Sequence, residues 1–175
     1  MGQYFKPVSL DAKEKVLPSG LKLMEHSWIN HSTMKMVEKL LSPGNKWYKT
    51  AIVWAGDYMD QGLFSDVDTT LYRRASDEWP IADSIDLDGP EVIYVVNHTK
   101  NMYIDLREVP PAEYCIDPWR IHPLSILTSS GNGRGSGDYK DDDDENVGSW
   151  AGDVISTEYE EPVGMEKYTA FFIKD

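Results

Sequence analysis

Short stretches in which apolar residues alternate with polar ones, or run together between turn residues, recur along the chain and are typical of strands. Pro7 lies inside the first stretch, and because proline donates no ladder hydrogen bond, it confines that strand to an edge or a bulge. His98-Thr99-Lys100 separates two neighbouring stretches, which indicates a hairpin. The predicted strands are residues 3–10, 13–17, 49–58, 91–97, 101–106, 150–158 and 167–174.

Two stretches have the three-to-four-residue apolar spacing of an amphipathic helix. We predict short helices at residues 20–28 and 32–41, with Ser32 as the N-cap of the second. A helical turn is predicted at 70–75, and residues 121–127 form a further short apolar element. The positions that carry the helical spacing are Leu21, Met24, Trp28, Met34, Val37 and Leu41.

These elements predict an α+β fold that is mainly antiparallel β with a few short helices. Residues 1–58 form a first β-rich half with two short helices, 59–90 an acidic connector, and 91–175 a second β-rich half. The halves share a pattern of residues, which predicts an internal duplication packed into one compact domain. The matched positions are Leu40-Leu41, Gly44-Asn45, Trp47 and Ile52 against Ile126-Leu127, Gly131-Asn132, Trp150 and Ile155.

The net charge of −13 is unevenly distributed. Residues 1–50 carry eight lysines and four acids, a balance of +4, which leaves −17 for the remaining 125 residues. Two segments dominate: residues 57–88 hold nine acids against two arginines, and residues 138–145 hold six acids against Lys140. Such a surface repels nucleic acid and anionic membranes and attracts basic partners, so we predict no direct nucleic-acid binding and no membrane contact.

The cysteine content bears on the compartment. A single cysteine, Cys115, makes no internal disulfide, which is typical of a reducing cytosol. No apolar run approaches the ~18 residues of a membrane span. We therefore expect a cytoplasmic protein.

The glycine-acid loop, residues 131–145 (GNGRGSGDYKDDDDE), does not match a known phosphate or metal motif. A P-loop needs Lys-Ser/Thr after its last glycine, whereas Asp138 follows Gly137. An EF-hand reading places Val147 where the loop requires glycine. We predict no cofactor and no metal, although Arg134 between glycines is compatible with a small anion nest.

Four motifs together resemble an uncharacterised family of small proteins encoded by bacteria and their phages. They are MGQYF at residues 1–5, GLKLME at 20–25, GNGRGSGD at 131–138 and GSWAGD at 148–153. In that family the glycine loop leads to Trp-Ala-Gly-Asp, a strand and Val-Gly-Asp-Tyr. Here Gly56-Asp57-Tyr58 lies in the first half and the loop in the second, where residues 158–161 replace the Gly-Asp-Tyr ending. The resemblance covers about half of the chain and implies kinship, with no assigned activity.

These observations favour a non-enzymatic binding protein of phage or bacterial type. It would inhibit a basic host defence or nuclease protein through complementary charge, with an exposed aromatic anchor. The predicted partner-binding residues are Asp66, Asp68, Trp119, Asp138, Asp141, Asp142, Asp143 and Asp144.

Two other functions stay open. One is a binder or sponge of a nucleotide-like signal, using a pocket between the two halves. Its predicted ligand-binding residues are Gly133, Arg134, Gly135, Trp150 and Asp153. The other is an enzyme with paired carboxylates, for which Asp57 and Asp153 are the candidates.

Overall fold

In a computed structural model of the chain, eight strands form one mostly antiparallel sheet. The structure describes residues 3–17, 21–64, 68–111, 119–131 and 145–169. The strands are β1 (Phe5–Ser9), β2 (Glu14–Lys15), β3 (Thr50–Gly56), β4 (Tyr94–Asn97), β5 (Met102–Asp105), β6 (Ser129–Ser130), β7 (Val154–Glu158) and β8 (Glu166–Lys167). Their order is β2-β1-β3-β7-β4-β5-β8, and β6 pairs in parallel with the end of β3.

Six strands of the sheet form two matching sets of three: β2-β1-β3 from one side and β5-β4-β7 from the other. Each half contributes a hairpin, β1–β2 or β4–β5, and a later strand that pairs antiparallel with the first strand of that hairpin. These later strands, β3 and β7, pair with each other at the centre of the sheet. The predicted mixture of helices and a mainly antiparallel sheet is therefore confirmed, while the duplication of the sequence stays a prediction.

Backbone hydrogen bonds at the centre of the sheet also occur in matched pairs. In both halves a buried tryptophan donates its N–H to the carbonyl of a leucine at the end of the preceding helix, and the residue after the first strand of the hairpin bonds to the later strand. In the first half, Trp47 N bonds to Leu40 O (3.0 Å) and Leu10 N to Ala51 O (2.8 Å). In the second half, Trp150 N bonds to Leu127 O (2.7 Å) and His98 N to Val154 O (2.9 Å).

In the described part of the chain, four α-helices cover the two faces of the sheet: α1 (Leu23–His26), α2 (Ser32–Leu40), α3 (Leu71–Glu78) and α4 (Pro123–Leu127). Side chains of α1, α2 and α4 share the main core with Ile52 and Trp54, whereas α3 packs on Val53 and Ala55 from the opposite face. Because alternate residues of a strand point to opposite faces and both faces are covered, β3 is apolar after its first residue, Thr50. No helix among the described residues has the length and apolarity to span a membrane.

Most predicted elements are present with shorter bounds, and two local predictions are wrong. The N-cap of α2 is His31, whose side chain accepts a hydrogen bond from the Thr33 N–H, so Ser32 is the first helical residue. The strand predicted from residue 150 begins only at Val154, because residues 145–152 form turns that end at Gly152 with φ +80°. The last strand, β8, shares only Lys167 with the strand predicted at 167–174, and residues 170–174 of that prediction lie outside the described part.

Candidate functional site

The described acidic side chains of the connector lie on the surface. Asp66, Asp138 and Asp141 to Asp144 lie outside the described residues. Within the described part of the chain, six aspartates between residues 60 and 88 are exposed and form no ion pair with lysine or arginine. We call this set the acidic belt: Asp60, Asp68, Asp77, Asp83, Asp86 and Asp88.

The structure describes two of the five predicted ligand-binding residues, Trp150 and Asp153. Gly133, Arg134 and Gly135 lie outside the described residues. Trp150 is only 1% exposed and packs against Tyr168, so it is a core residue. The Asp153 carboxylate accepts a hydrogen bond from Asn97 (2.8 Å) and pairs with Lys100.

The carboxylate pair suggested for an enzyme is separated in the fold. The Asp153 carbonyl accepts a hydrogen bond from the Ile52 N–H, and Asp57 lies five residues further along the chain. At ~3.3 Å per residue this places the two about 16 Å apart along β3. The predicted Asp57–Asp153 pair is therefore wrong as a shared catalytic centre.

A cleft with several cationic side chains lies between the two predicted halves. One wall is α2 with the residues before it, and the other comes from Leu87, residues 89–92, residues 106–107 and Arg120. We call it the basic cleft, and its volume is about 100 Å³. Its charged lining is Lys35, Glu38, Lys39, Glu91, Arg107 and Arg120.

Two of these cations are already neutralised. The Arg107 guanidinium donates to both Asp105 carboxylate oxygens (2.9 and 2.6 Å), and this pairing raises the pKa of Arg107 and lowers the pKa of Asp105. Lys35 pairs with the exposed Glu91 at 3.5 Å. These two pairs add little net positive charge to the cleft.

Lys39 and Arg120 carry the unpaired charge. Lys39 Nζ donates to the Pro90 carbonyl (2.9 Å), and Arg120 Nη1 donates to the Leu106 carbonyl (3.2 Å). Within the described residues neither has a carboxylate within 4.0 Å. The carbonyls hold both side chains in place without neutralising them, so both charges remain available to a ligand.

Glu38 forms the acidic part of the cleft. His122 is fully buried, and its Nδ1 accepts a hydrogen bond from the Leu124 N–H (3.1 Å). The other ring nitrogen, Nε2, therefore carries the proton and donates to Glu38 Oε1 (2.8 Å). This bond fixes the Glu38 carboxylate while its Oε2 has no hydrogen-bond partner among the described residues.

An aromatic pocket adjoins the basic cleft. Trp28, Ile29, Asn30, His31, Trp119 and Arg120 line it, and its volume is about 340 Å³. The Trp28 and Trp119 rings pack edge to face with their centroids 4.9 Å apart, and Trp119 is 52% exposed. We call it the tryptophan pocket. The exposure predicted for Trp119 is thus observed, whereas its role as a partner anchor stays a prediction.

Sequence reasoning missed the residues of the basic cleft. One signal was present: Glu38 lies four residues after Met34 and three before Leu41, on the apolar stripe of α2. A carboxylate on a buried face requires a partner, which here is His122. The cations carried no local signal, because Lys39 and Arg120 meet only through the fold.

No protein-family model, curated protein or solved structure matches this chain. Among the described residues, no three histidine, cysteine, aspartate or glutamate side chains are grouped to hold a metal ion. Function is therefore inferred from the basic cleft, the tryptophan pocket and the acidic belt.

Proposed function

We propose that this chain is a non-enzymatic binding protein that holds a small anion in the basic cleft. The observation that supports this is the pair Lys39 and Arg120, which line one cleft and, among the described residues, have no carboxylate within 4.0 Å, although the protein carries a net charge of −13. Each side chain is held instead by a backbone carbonyl. A concave site also strengthens the local field of its charges.

The test is calorimetric titration of the full chain with inorganic pyrophosphate at ionic strengths of about 0.01 M and about 0.15 M. We expect binding that weakens with salt. The R120A and K39M variants should each weaken it about fivefold to tenfold, as a charge contact of ~1 kcal/mol implies. Matched controls are R73A and K13M, which remove exposed charges away from the cleft. Equal losses in the controls would mean that only the overall charge matters.

A second candidate function is inhibition of a basic host protein by the acidic belt, in line with the resemblance to phage and bacterial proteins. Six exposed, unpaired aspartates favour it. Such a surface mimics the charge of a nucleic acid and gives fast, salt-sensitive association. Trp119 is the exposed aromatic that would anchor the contact.

This second function is tested by capturing partners from bacterial lysate at low and high salt. The triple variant D83N/D86N/D88N should lose a basic partner that the wild-type chain retains at low salt. A control with the same loss of charge, E145Q/E160Q/E166Q, alters exposed acids outside the belt. A partner retained by the first variant, or lost equally by both, would exclude the belt as the contact.

A further inference from the structure

We infer that the basic cleft and the tryptophan pocket form one site for a nucleotide, with the base at Trp28 and Trp119 and the phosphates at Arg120 and Lys39. This inference rests on the proposed anion-binding function and names the class of ligand. It also moves the nucleotide site away from the glycine-acid loop.

The two compartments adjoin each other. Ile29, Asn30 and Arg120 line both of them. Arg120 therefore lies at the junction, where the phosphates of a nucleotide would follow its base. Among the described residues, Arg120 has one hydrogen-bond acceptor, the Leu106 carbonyl bound by Nη1, which leaves the other guanidinium nitrogens to donate to a phosphate.

The aromatic end of the site is rigidly built. The segments that carry Trp28 and Arg120 pair antiparallel, with Ile29 N to Arg120 O at 3.0 Å and His122 N to Ser27 O at 2.7 Å. This ribbon fixes the edge-to-face tryptophan pair. An edge-to-face pair with one half-exposed ring leaves an indole face open for a planar base, and stacking of this kind accepts any base.

The polar end of the site is mixed in charge. Glu38 offers a carboxylate oxygen beside the cations, and His122 holds that carboxylate in position. A carboxylate repels a bare polyanion and accepts a hydrogen bond from a hydroxyl or amine. The combination therefore favours a ligand that carries both an anion and such donors, as a nucleotide does through its ribose and base.

The experiment compares three kinds of probe on the full chain: ribonucleoside diphosphates with each of the four bases, the matching nucleosides, and pyrophosphate. At least one diphosphate should bind about tenfold or more tightly than pyrophosphate, the gain expected from stacking one base. W119A should reduce the affinity for that diphosphate to the affinity measured for pyrophosphate. R120A should weaken binding of that diphosphate about fivefold to tenfold, as it weakens pyrophosphate binding, and R120K should recover only part of the loss.

The controls and the possible results distinguish a nucleotide site from binding of anions alone. Y58A removes another exposed aromatic and should leave binding unchanged. Equal affinity for pyrophosphate and every diphosphate would overturn the nucleotide assignment and leave anion binding intact. Failure of all probes would overturn both. Diphosphate binding unaffected by W119A and R120A, in variants with wild-type thermal stability, would also overturn the assignment because the ligand would then lie elsewhere.

Discussion

His26 is a buried histidine with both ring nitrogens occupied. The Trp54 Nε1–H donates to Nε2 (2.8 Å), and Nδ1–H donates to the Lys22 carbonyl (2.7 Å). This arrangement requires a neutral ring. Burial lowers the pKa of His26 from 6.5 to about 4, since the protein interior disfavours the charged form.

This burial predicts a loss of stability in mild acid. The unfolded ring gains a proton below pH 6.5, but the folded ring gains it only near pH 4, so protonation favours unfolding in that window. The free energy of unfolding should fall by on the order of 3 kcal/mol between these values because of this residue. Urea unfolding across the window measures it. H26Q, which keeps an acceptor for Trp54, should show a shallower fall; an equal slope would contradict the assignment.

Gln3 offers a second test at a single residue. Its amide is buried, and neither polar atom has a hydrogen-bond partner in the described part of the chain. Gly56 and Gly131 flank it so closely that a Cβ at either position would lie 2.3 or 2.2 Å from the Gln3 Nε2. Q3M should therefore raise the free energy of unfolding by about 1 kcal/mol, because a buried unpaired polar group is removed at similar volume. Chemical unfolding of the wild-type chain and of Q3M measures this difference. A lower free energy of unfolding for Q3M would show that the Gln3 amide forms hydrogen bonds.

The C-terminal end of helix α3 contacts two lysines of the β1–β2 hairpin, Lys6 and Lys15. Lys15 Nζ donates to the Ala75 carbonyl (2.8 Å) and to the Ser76 carbonyl (2.7 Å). Lys6 bonds to the Ser76 hydroxyl, and its ammonium lies 3.9 Å from the Tyr72 ring centre. Burial lowers the pKa of Lys6 to about 8. Cations near the last carbonyls stabilise the end of a helix.

The K15M variant should loosen α3. It leaves two carbonyls without their donor and should cost about 1–2 kcal/mol. Hydrogen exchange of residues 71–78 should accelerate, while β4 and β5 keep their protection. The control is K13M, at an exposed position in the turn between β1 and β2. It should change neither the stability nor the exchange of α3. Uniform acceleration across the sheet in K15M would indicate global rather than local loss.

Local pattern predicted the elements well and their junctions poorly. β1, β3, the β4–β5 hairpin and α2 follow from apolar spacing, since each buries a face set by its own residues. His31 in place of Ser32 as N-cap depends on side-chain geometry that no spacing encodes. The basic cleft unites α2, Leu87, residues 89–92 and Arg120, which only the fold brings together; Glu38 alone had a sequence signal.

At the scale of the molecule, the two predicted halves share both a sheet and a core. β3 pairs with β7 at two positions and with β6 at two, whereas β1 and β3 pair at five. Phe5, Trp54 and Val95 also lie in one hydrophobic cluster that spans both halves. Neither half therefore holds a complete core of its own.

Separately expressed fragments 1–84 and 85–175 should consequently assemble when mixed. The cut lies in an exposed part of the connector and breaks no strand. Mixing should restore the near-ultraviolet circular dichroism of the buried tryptophans, which each fragment alone should lack because its share of the core is open. A cut between Ile52 and Val53, inside β3, is the control and should prevent assembly. Two fragments that each show the full signal alone would contradict a shared core.

The sheet order also bears on how the chain folds during synthesis. β1, β2 and β3 pair with one another and are complete by residue 56, whereas β7 joins β3 about a hundred residues later. At ~5–20 residues per second, the ribosome takes several seconds to deliver β7. During that interval the inner edge of β3 is open, and a second nascent chain on the same messenger can pair there. Slow translation of residues 57–153 therefore carries a risk of misassembly that faster translation reduces.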